Sequence, residues 1–296
     1  MDAARIDAFE AQRPRLLRLA YRMLGSVAEA EDAVQDAWLR WTKASERAGD
    51  EVVQPAAWLA RVTIRLCIDR LRSAKVERAA YRGPWLPEPL IEPLTHDPVE
   101  RAEDVSVAFL LALERLSPLE RAVFLLHDVF DEDYGSVAET LGRSESAVRQ
   151  LASRAREHVR DARPRFSVSQ DEAARLATAF AAAATLGDMA GLSALLAQDA
   201  VLVTDGGGKR KAALRVLAGR EDIVRLMEGI AWRGQTAPPE SLRTARINGY
   251  PGFVLTLRDG LSTIAFQPGC DGLIHAVYIV RNPEKLGHVA GQEGER

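Results

Sequence analysis

The sequence predicts a multidomain chain: two all-α parts followed by an α+β part. Three observations predict it. Apolar residues recur at helical spacing through the first half. Five of the 14 prolines crowd residues 81–98, YRGPWLPEPLIEPLTHDP, which therefore reads as a linker and neither helix nor central strand. Beyond Arg163-Pro164, long helical periods give way to short β-like runs. At 296 residues and 47% hydrophobic, the chain suggests about two domains, with one or three still open, and is too apolar for disorder. No apolar run approaches the roughly 20 residues of a membrane helix. The start, MDAARIDAFEAQRPR, carries acids where a secretion signal is basic, so a cytoplasmic location is expected. A net charge of -3 at first sight argues against nucleic acid.

The first expected domain is 1–76. Ile6, Phe9, Leu16, Leu17, Ala20, Met23 and Leu24 share helical spacing, Gly25 stops that helix, and Ser26 to Glu29 opens the next as a capping box. In that second helix Ala30, Val34, Ala37, Trp38 and Trp41 form the apolar side, beside Asp32, Gln35, Asp36 and Arg40. A third helix begins near Pro55. It carries Trp58, Val62 and Leu66 at four-residue steps, and Arg61, Arg65 and Arg72 within about 40° of one another. Such a stripe is either a solvated face or a phosphate-binding one, and the scarcity of acids among the arginines favours phosphate.

Residues 77–102 form the expected linker, too apolar at Trp85, Leu86, Leu90 and Ile91 to hang free. The second domain, 103–165, holds the sharpest local pattern. Ser117-Pro118-Leu119-Glu120 is an N-cap, a proline at the first helical position and a reaching-back glutamate. A short helix at 137–141 is closed by Gly142, and Ser144 opens a longer basic helix. In it Val148, Leu151, Ala152, Ala155 and Val159 form one stripe, and Arg149, Ser153, Arg156 and Arg160 another. Short helix, glycine turn and basic helix make a helix-turn-helix pattern, which either enters a DNA groove or belongs to a plain bundle. The one-sided basic stripe favours DNA.

The third domain, 166–290, starts with a capping box at Ser169 to Glu172 and an alanine-rich helix to about Leu186, then a second helix from Met189 to Leu196. β-like runs follow at 200–204, 214–217, 242–247, 253–257, 261–266 and 274–280, interrupted by a helix at 221–229. Helices first and a curved antiparallel sheet after is an α+β order suited to a cone-shaped fold with a pocket. Residues 291–296 are expected to be a flexible tail. Asp199, Asp205, His275 and Tyr278 could enter such a pocket as catalytic groups, or they close turns and satisfy buried backbone. The segment Asp205-Gly206-Gly207-Gly208-Lys209 reads as a hairpin and lacks P-loop spacing. Cys67 and Cys270 lie far apart, read as two buried small hydrophobes, and His96, His127, His158, His275 and His288 show no metal-ligand spacing. No catalytic residue, cofactor or metal is expected.

Two segments resemble a known family. LLRLAYRMLGSVAEAEDAVQDAWLRW is similar to region 2, and YGSVAETLGRSESAVRQLASRAREHVR to region 4, of the sigma-70 family in its extracytoplasmic-function class. WLPEP at 85–89, DGGGK at 205–209 and NPEKL at 282–286 resemble signatures of the subgroup with a SnoaL-like C-terminal extension, the sigma-J-like type. The resemblance implies a promoter-specificity subunit, not an enzyme. By it, Asp32, Gln35, Asp36 and Trp38 would dock on the β′ clamp helices of core RNA polymerase. The segment from Ala44 to Trp58, with Arg61, Arg65 and Arg72 beyond it, would open and read the −10 element. Ser144, Ser146, Arg149, Gln150, Ser153 and Arg154 would read the −35 element. The class usually has asparagine where Arg65 stands, which puts that contact in question. The extension would regulate in cis, without a separate anti-sigma factor, through Trp85, Leu86, Pro87, Glu88 and Pro89 meeting Asp205, Gly206, Gly207, Gly208, Lys209, Asn282 and Pro283. The rival reading is a SnoaL-like enzyme or sensor with a DNA-binding appendage, and a small ligand in its pocket is a further candidate partner. Promoter DNA is compatible with the charge balance, because affinity follows local positive faces and not the sum.

Overall fold

The computed structural model describes residues 3–46, 52, 54–92, 106–160, 169–232 and 238–291. The expected break at Arg163-Pro164, the end of the linker with His96, and the tail from 292 onward lie outside them. The chain forms two compact units, Met1–Ala79 with Ala108–Arg163, and Ala80–Val107 with Pro164–Arg296.

The first unit is all helix: α1 (Ala3–Leu24), α2 (Val27–Glu46), α3 (Pro55–Ala79), α4 (Val107–Leu113), α5 (Pro118–Phe124), α6 (Tyr134–Leu141) and α7 (Glu145–Val159). Gly25 ends α1 with φ 69°, a conformation only glycine adopts cheaply, and Ser26 then accepts from the Glu29 amide at 3.1 Å. Ser117 and Glu120 form the reciprocal capping box. The helix after it continues as a π-helical turn, Leu125–Val129.

Leu16, Leu19, Met23, Leu24, Leu59 and Ile64 from the first three helices, and Phe109, Leu113, Leu125 and Leu126 from the later ones, are fully buried. Each contributes about 1.5–3 kcal/mol through apolar burial. A polar bolt crosses the unit. Buried Arg121 donates to the Met23 carbonyl at 2.5 Å and to Glu114 at 2.8 Å, while Arg78 donates to Glu114 and, at 2.9 Å, to the Leu24 carbonyl. Burial lowers both guanidinium pKa values to about 10, helped at Arg78 by the neighbouring Arg121 charge.

The second unit is α+β. Helices α8 (Gln170–Leu186), α9 (Met189–Leu195) and α10 (Arg220–Trp232) accompany a seven-stranded sheet of order β1-β4-β5-β6-β7-β2-β3. The strands are β1 (Ile91–Glu92), β2 (Leu196–Asp205), β3 (Leu217–Ala218), β4 (Ser241–Ile247), β5 (Tyr250–Leu257), β6 (Gly260–Pro268) and β7 (Ile274–Val280). Three particulars correct the sequence reading and a fourth adds to it. The sheet is mixed, because β2 and β7 run parallel. Leu196 starts β2 and does not end the helix. Of the run expected at 214–217 only Leu217 pairs, together with Ala218 beyond it, because β3 meets β2 solely opposite Val201 and Leu202. The Trp85 stretch is followed by an edge strand, a position that proline-rich sequence tolerates.

One sheet face carries the helices. Phe180 packs on Phe266 at 5.0 Å between ring centroids, Phe253 on Phe266 at 6.0 Å, and Leu192, Leu202, Ile223 and Val277 complete that core. The opposite face, with Ile247, Ala265, Tyr278 and Val280, carries Leu86, Pro87 and Pro89 of the linker.

Candidate functional site

Four groups of side chains bear on function, and the first lies on α2. Asp32, Gln35 and Leu39 are exposed at i, i+3 and i+7, so they share one outward face. Arg70 of α3 steadies its margin, donating to Asp36 at 2.7 Å and to the Glu29 carbonyl at 3.0 Å, with Asp32 at 3.9 Å. Trp38 points elsewhere. It is half-buried against Phe9, with ring centroids 4.7 Å apart. Leu39 was not among the residues singled out from sequence, although an exposed leucine beside two acids on an otherwise amphipathic helix is a readable sign.

The second group lies on α3. Trp58 is half-buried beside Trp41 at 5.4 Å. Arg65 is exposed, and Arg72 is exposed with Asp69 3.6 Å away. Arg61 is held differently, donating to Glu139 of α6 at 2.5 Å. The arginine stripe is thus split: Arg65 and Arg72 are exposed, the latter beside Asp69 of its own helix, and Arg61 is held by a carboxylate from α6. Residues 47–51 and 53 of the segment expected to open the −10 element are outside the described residues, Val52 apart.

The third group is the helix-turn-helix. Asp133 caps α6, Gly142 closes it with φ 62°, and Ser144 caps α7 by accepting from the Ala147 amide. Val148, Ala152, Ala155 and Val159 are buried, which turns Ser144, Ser146, Arg149, Gln150, Ser153 and Arg154 outward together. Arg149 pairs with Glu145 and lies over the Tyr134 ring at 4.4 Å. Arg156 of the expected basic stripe is a structural group instead: it donates to Asp128 at 2.6 Å and to the Tyr134 hydroxyl at 3.0 Å. Those bonds, above all the one to Asp128, raise its pKa, so its charge is committed.

The fourth group is a buried network centred on Asp205, at the end of β2. One carboxylate oxygen accepts from the Tyr81 hydroxyl at 2.6 Å and the Gly207 amide at 3.0 Å. The other accepts from the Leu86 amide at 2.9 Å and the Lys285 ammonium at 2.7 Å. Lys285 also donates to the Leu86 carbonyl and lies over the Trp85 and Tyr81 rings at 4.2 and 4.9 Å. Burial and the Asp205 carboxylate push the Tyr81 hydroxyl far up, so it remains a donor at any working pH.

The same linker is gripped further along. Asn282 donates to the Tyr81 hydroxyl at 2.9 Å and caps the turn Pro283–Lys285, and His288 bonds the Pro89 carbonyl at 2.8 Å. Asn248 exchanges bonds with the Leu90 backbone, and Arg246 reaches Glu92 at 3.3 Å. Gly207 adopts φ 59°, and a Cβ there would run into the Asn282 amide. Lys209 pairs with Glu284, at the border of the network. Pro283 is exposed, whereas Leu86, Pro87, Glu88 and Pro89 are buried. Tyr81, Lys285 and His288 were missed from sequence. Lys285 stood in plain view inside NPEKL, but only burial reveals that it is the counter-charge.

The four polar groups considered for a catalytic pocket do not converge. Asp199 is exposed, His275 bonds Asp271 at 3.0 Å, Tyr278 donates to Gln267 at 2.9 Å, and Asp205 has its four donors. Only about 10 Å³ stays open between Leu86, Pro87, Pro89 and the sheet, room for about one water at most. Cys67 is buried, and burial pushes its thiol up to about 12. Cys270, expected to be buried too, is exposed in the turn between β6 and β7. Among the described residues no three His, Cys, Asp or Glu side chains gather to hold a metal, and no helix is long and apolar enough to cross a membrane.

Comparison with known proteins gives the following. The Sigma-70 region 2 model matches residues 8–76 and the Sigma-70 region 4 model residues 106–159. ECF RNA polymerase sigma factor SigJ of Mycobacterium tuberculosis is 39% identical over 297 residues, covering 95% of this chain and 93% of that protein. ECF RNA polymerase sigma factor SigG of the same species is 36% identical over 181 residues, covering 52% and 47%. The crystal structure of M. tuberculosis SigJ superposes with a TM-score of 0.75 at 34% identity, covering 95% and 98%.

Proposed function

The chain belongs to the extracytoplasmic-function class of the sigma-70 family, an RNA polymerase sigma factor, and from that premise we propose that its α+β unit regulates it in cis through the linker. Core polymerase and promoter DNA are its partners by family. Within that frame, Asp32, Gln35 and Asp36 meet the β′ clamp helices, joined by Leu39. Trp38 supports that helix from behind. Trp58, Arg61, Arg65 and Arg72 serve the −10 element. Ser144, Ser146, Arg149, Gln150, Ser153 and Arg154 serve the −35 element, the early residues at base edges and the later ones at phosphates.

The observation that carries the regulatory reading is the Asp205–Lys285 pair closed around Leu86. Residues 81–92 join regions 2 and 4. Extended, twelve residues reach about 40 Å, and holding them on a sheet takes that reach away from the helical regions. Control of polymerase engagement then needs no separate anti-sigma factor, and the protein acts in the cytoplasm where polymerase is. An enzymatic role is not part of this reading: the Asp205 carboxylate has no acceptor left for substrate chemistry.

The test is reconstitution with core polymerase. The full chain forms a holoenzyme that initiates from its promoter, and Asp205→Asn changes polymerase affinity or promoter output at unchanged helical content. If Asp205→Asn frees the linker amides yet initiates identically, regulation through the linker is refuted. If the full chain forms no holoenzyme under any condition, the site assignments on α2 fall.

A further inference from the structure

A cavity of about 340 Å³ opens beside the DGGGK loop of the second unit. Arg82 from the linker lines one side. Lys209, Arg210 and Lys211 line the other, with Ala213 and Leu214 as an aliphatic ledge. No acid contributes to the lining. Gly206 and Gly208 stand where side chains would intrude. A Cβ on Gly206 would strike the Arg210 carbonyl, and one on Gly208, at φ 71°, would press on the Arg82 stem.

The charges around this space are under-compensated. Lys209 has Glu284. Arg210 approaches Asp259 only to 3.7 Å, and Arg281 already holds that carboxylate with two bonds of 2.7 and 2.8 Å. The Arg210 Nη1 is buried with no hydrogen-bond partner. Among the described residues Arg82 and Lys211 make no ion pair. Three cations facing one concavity repel one another, and two of them are planar guanidinium forks, the geometry that recognises phosphate oxygens.

We propose that this cavity binds a phosphate-bearing small molecule, a phosphomonoester whose body lies on Ala213 and Leu214. Its volume is in the range of small-ligand sites. Because Arg82 precedes the clamped Trp85-Leu86 pair, an anion bridging Arg82 to Arg210 and Lys211 fastens the linker to the sheet. That consequence rests on the linker reading above; the site itself does not.

The experiment titrates the full-length protein with inorganic phosphate, and separately with pyrophosphate, at ionic strength held constant with chloride. Saturable single-site binding is expected, weakened about tenfold or more in an Arg82→Ala, Lys211→Ala double variant, which changes two exposed side chains. Hydrogen exchange at the Leu86 and Leu90 amides slows on saturation. Failure of both anions to saturate, or undiminished binding by the double variant, overturns the proposal. Binding with unchanged exchange overturns the coupling to the linker. Protection of those amides without anion reports on the linker clamp separately, so the two failures are distinct. A short duplex of arbitrary sequence that binds through Arg82 and Lys211 and resists displacement by both anions would assign the cavity to DNA and end the proposal.

Discussion

Replacing Asp205 with asparagine keeps the side chain's shape but removes its charge and one acceptor. The remaining carbonyl oxygen can still serve Tyr81 and Gly207. The new amide nitrogen then faces two donors, the Leu86 N–H and the Lys285 ammonium. Lys285, with a side chain 9% exposed, retains the Leu86 carbonyl but loses the Asp205 carboxylate. Breaking one partner of a buried pair costs about 3–5 kcal/mol. At about 1.4 kcal/mol per factor of ten, the Leu86 amide should exchange about two to three and a half decades faster if it opens locally. Native-state hydrogen exchange on the full chain reads this directly. Lys285→Met should release the same amide, and the double variant should cost clearly less than the two single costs added, since neither half of the pair is then left without the other. An acceleration below about tenfold in Asp205→Asn, or additivity in the double variant, would refute the view that this pair holds the linker.

Three further outcomes are expected. Glu114→Gln leaves Arg78 and Arg121 facing each other without their shared carboxylate. It should destabilise the helical unit by about 3–5 kcal/mol in denaturant unfolding, and a loss under 1 kcal/mol would contradict the bolt. Leu39→Arg should weaken core-polymerase binding about tenfold or more with little change in thermal stability, because Leu39 is exposed; unchanged binding would remove α2 from the interface. The third concerns pH. The Cys67 thiol is raised from 9.0 to about 12 by burial. Between those values the unfolded thiol has lost its proton and the folded one keeps it, so the unfolded state binds fewer protons. Stability is therefore intact below pH 9 and falls through pH 12, by at most about 1.4 kcal/mol per pH unit. Cys67→Ala should flatten that slope, and an unaltered slope would exclude the thiol.

Much of the fold was legible because it rests on local chemistry. Gly25, Ser117 with Glu120, Gly142 and Ser144 each specify a helix end with its own atoms, and the structure uses each as such. The outward face of α7 followed from its period. What failed to show was long-range. Arg156 looks like its neighbours in sequence, but Asp128, 28 positions earlier, holds it. The parallel β2–β7 pair joins segments separated by the whole meander, which no local period encodes. The two readings of the candidate pocket stayed open in the sequence for the same reason. Asp205 has the composition of a catalytic carboxylate, and only its partners at 81, 86 and 285 show that it is a fastener.

Those partners carry a consequence in time. Lys285 and His288 meet Leu86 and Pro89 across 199 positions of chain. A ribosome adding about 5–20 residues per second makes that interval about 10–40 s. Region 2 is complete before it starts and region 4 is completed within it, while the apolar WLPEP stretch has no final surface. Translation rate, and any chaperone that shields a short hydrophobic segment, thus bears on how much of each new molecule starts life with its linker unfastened.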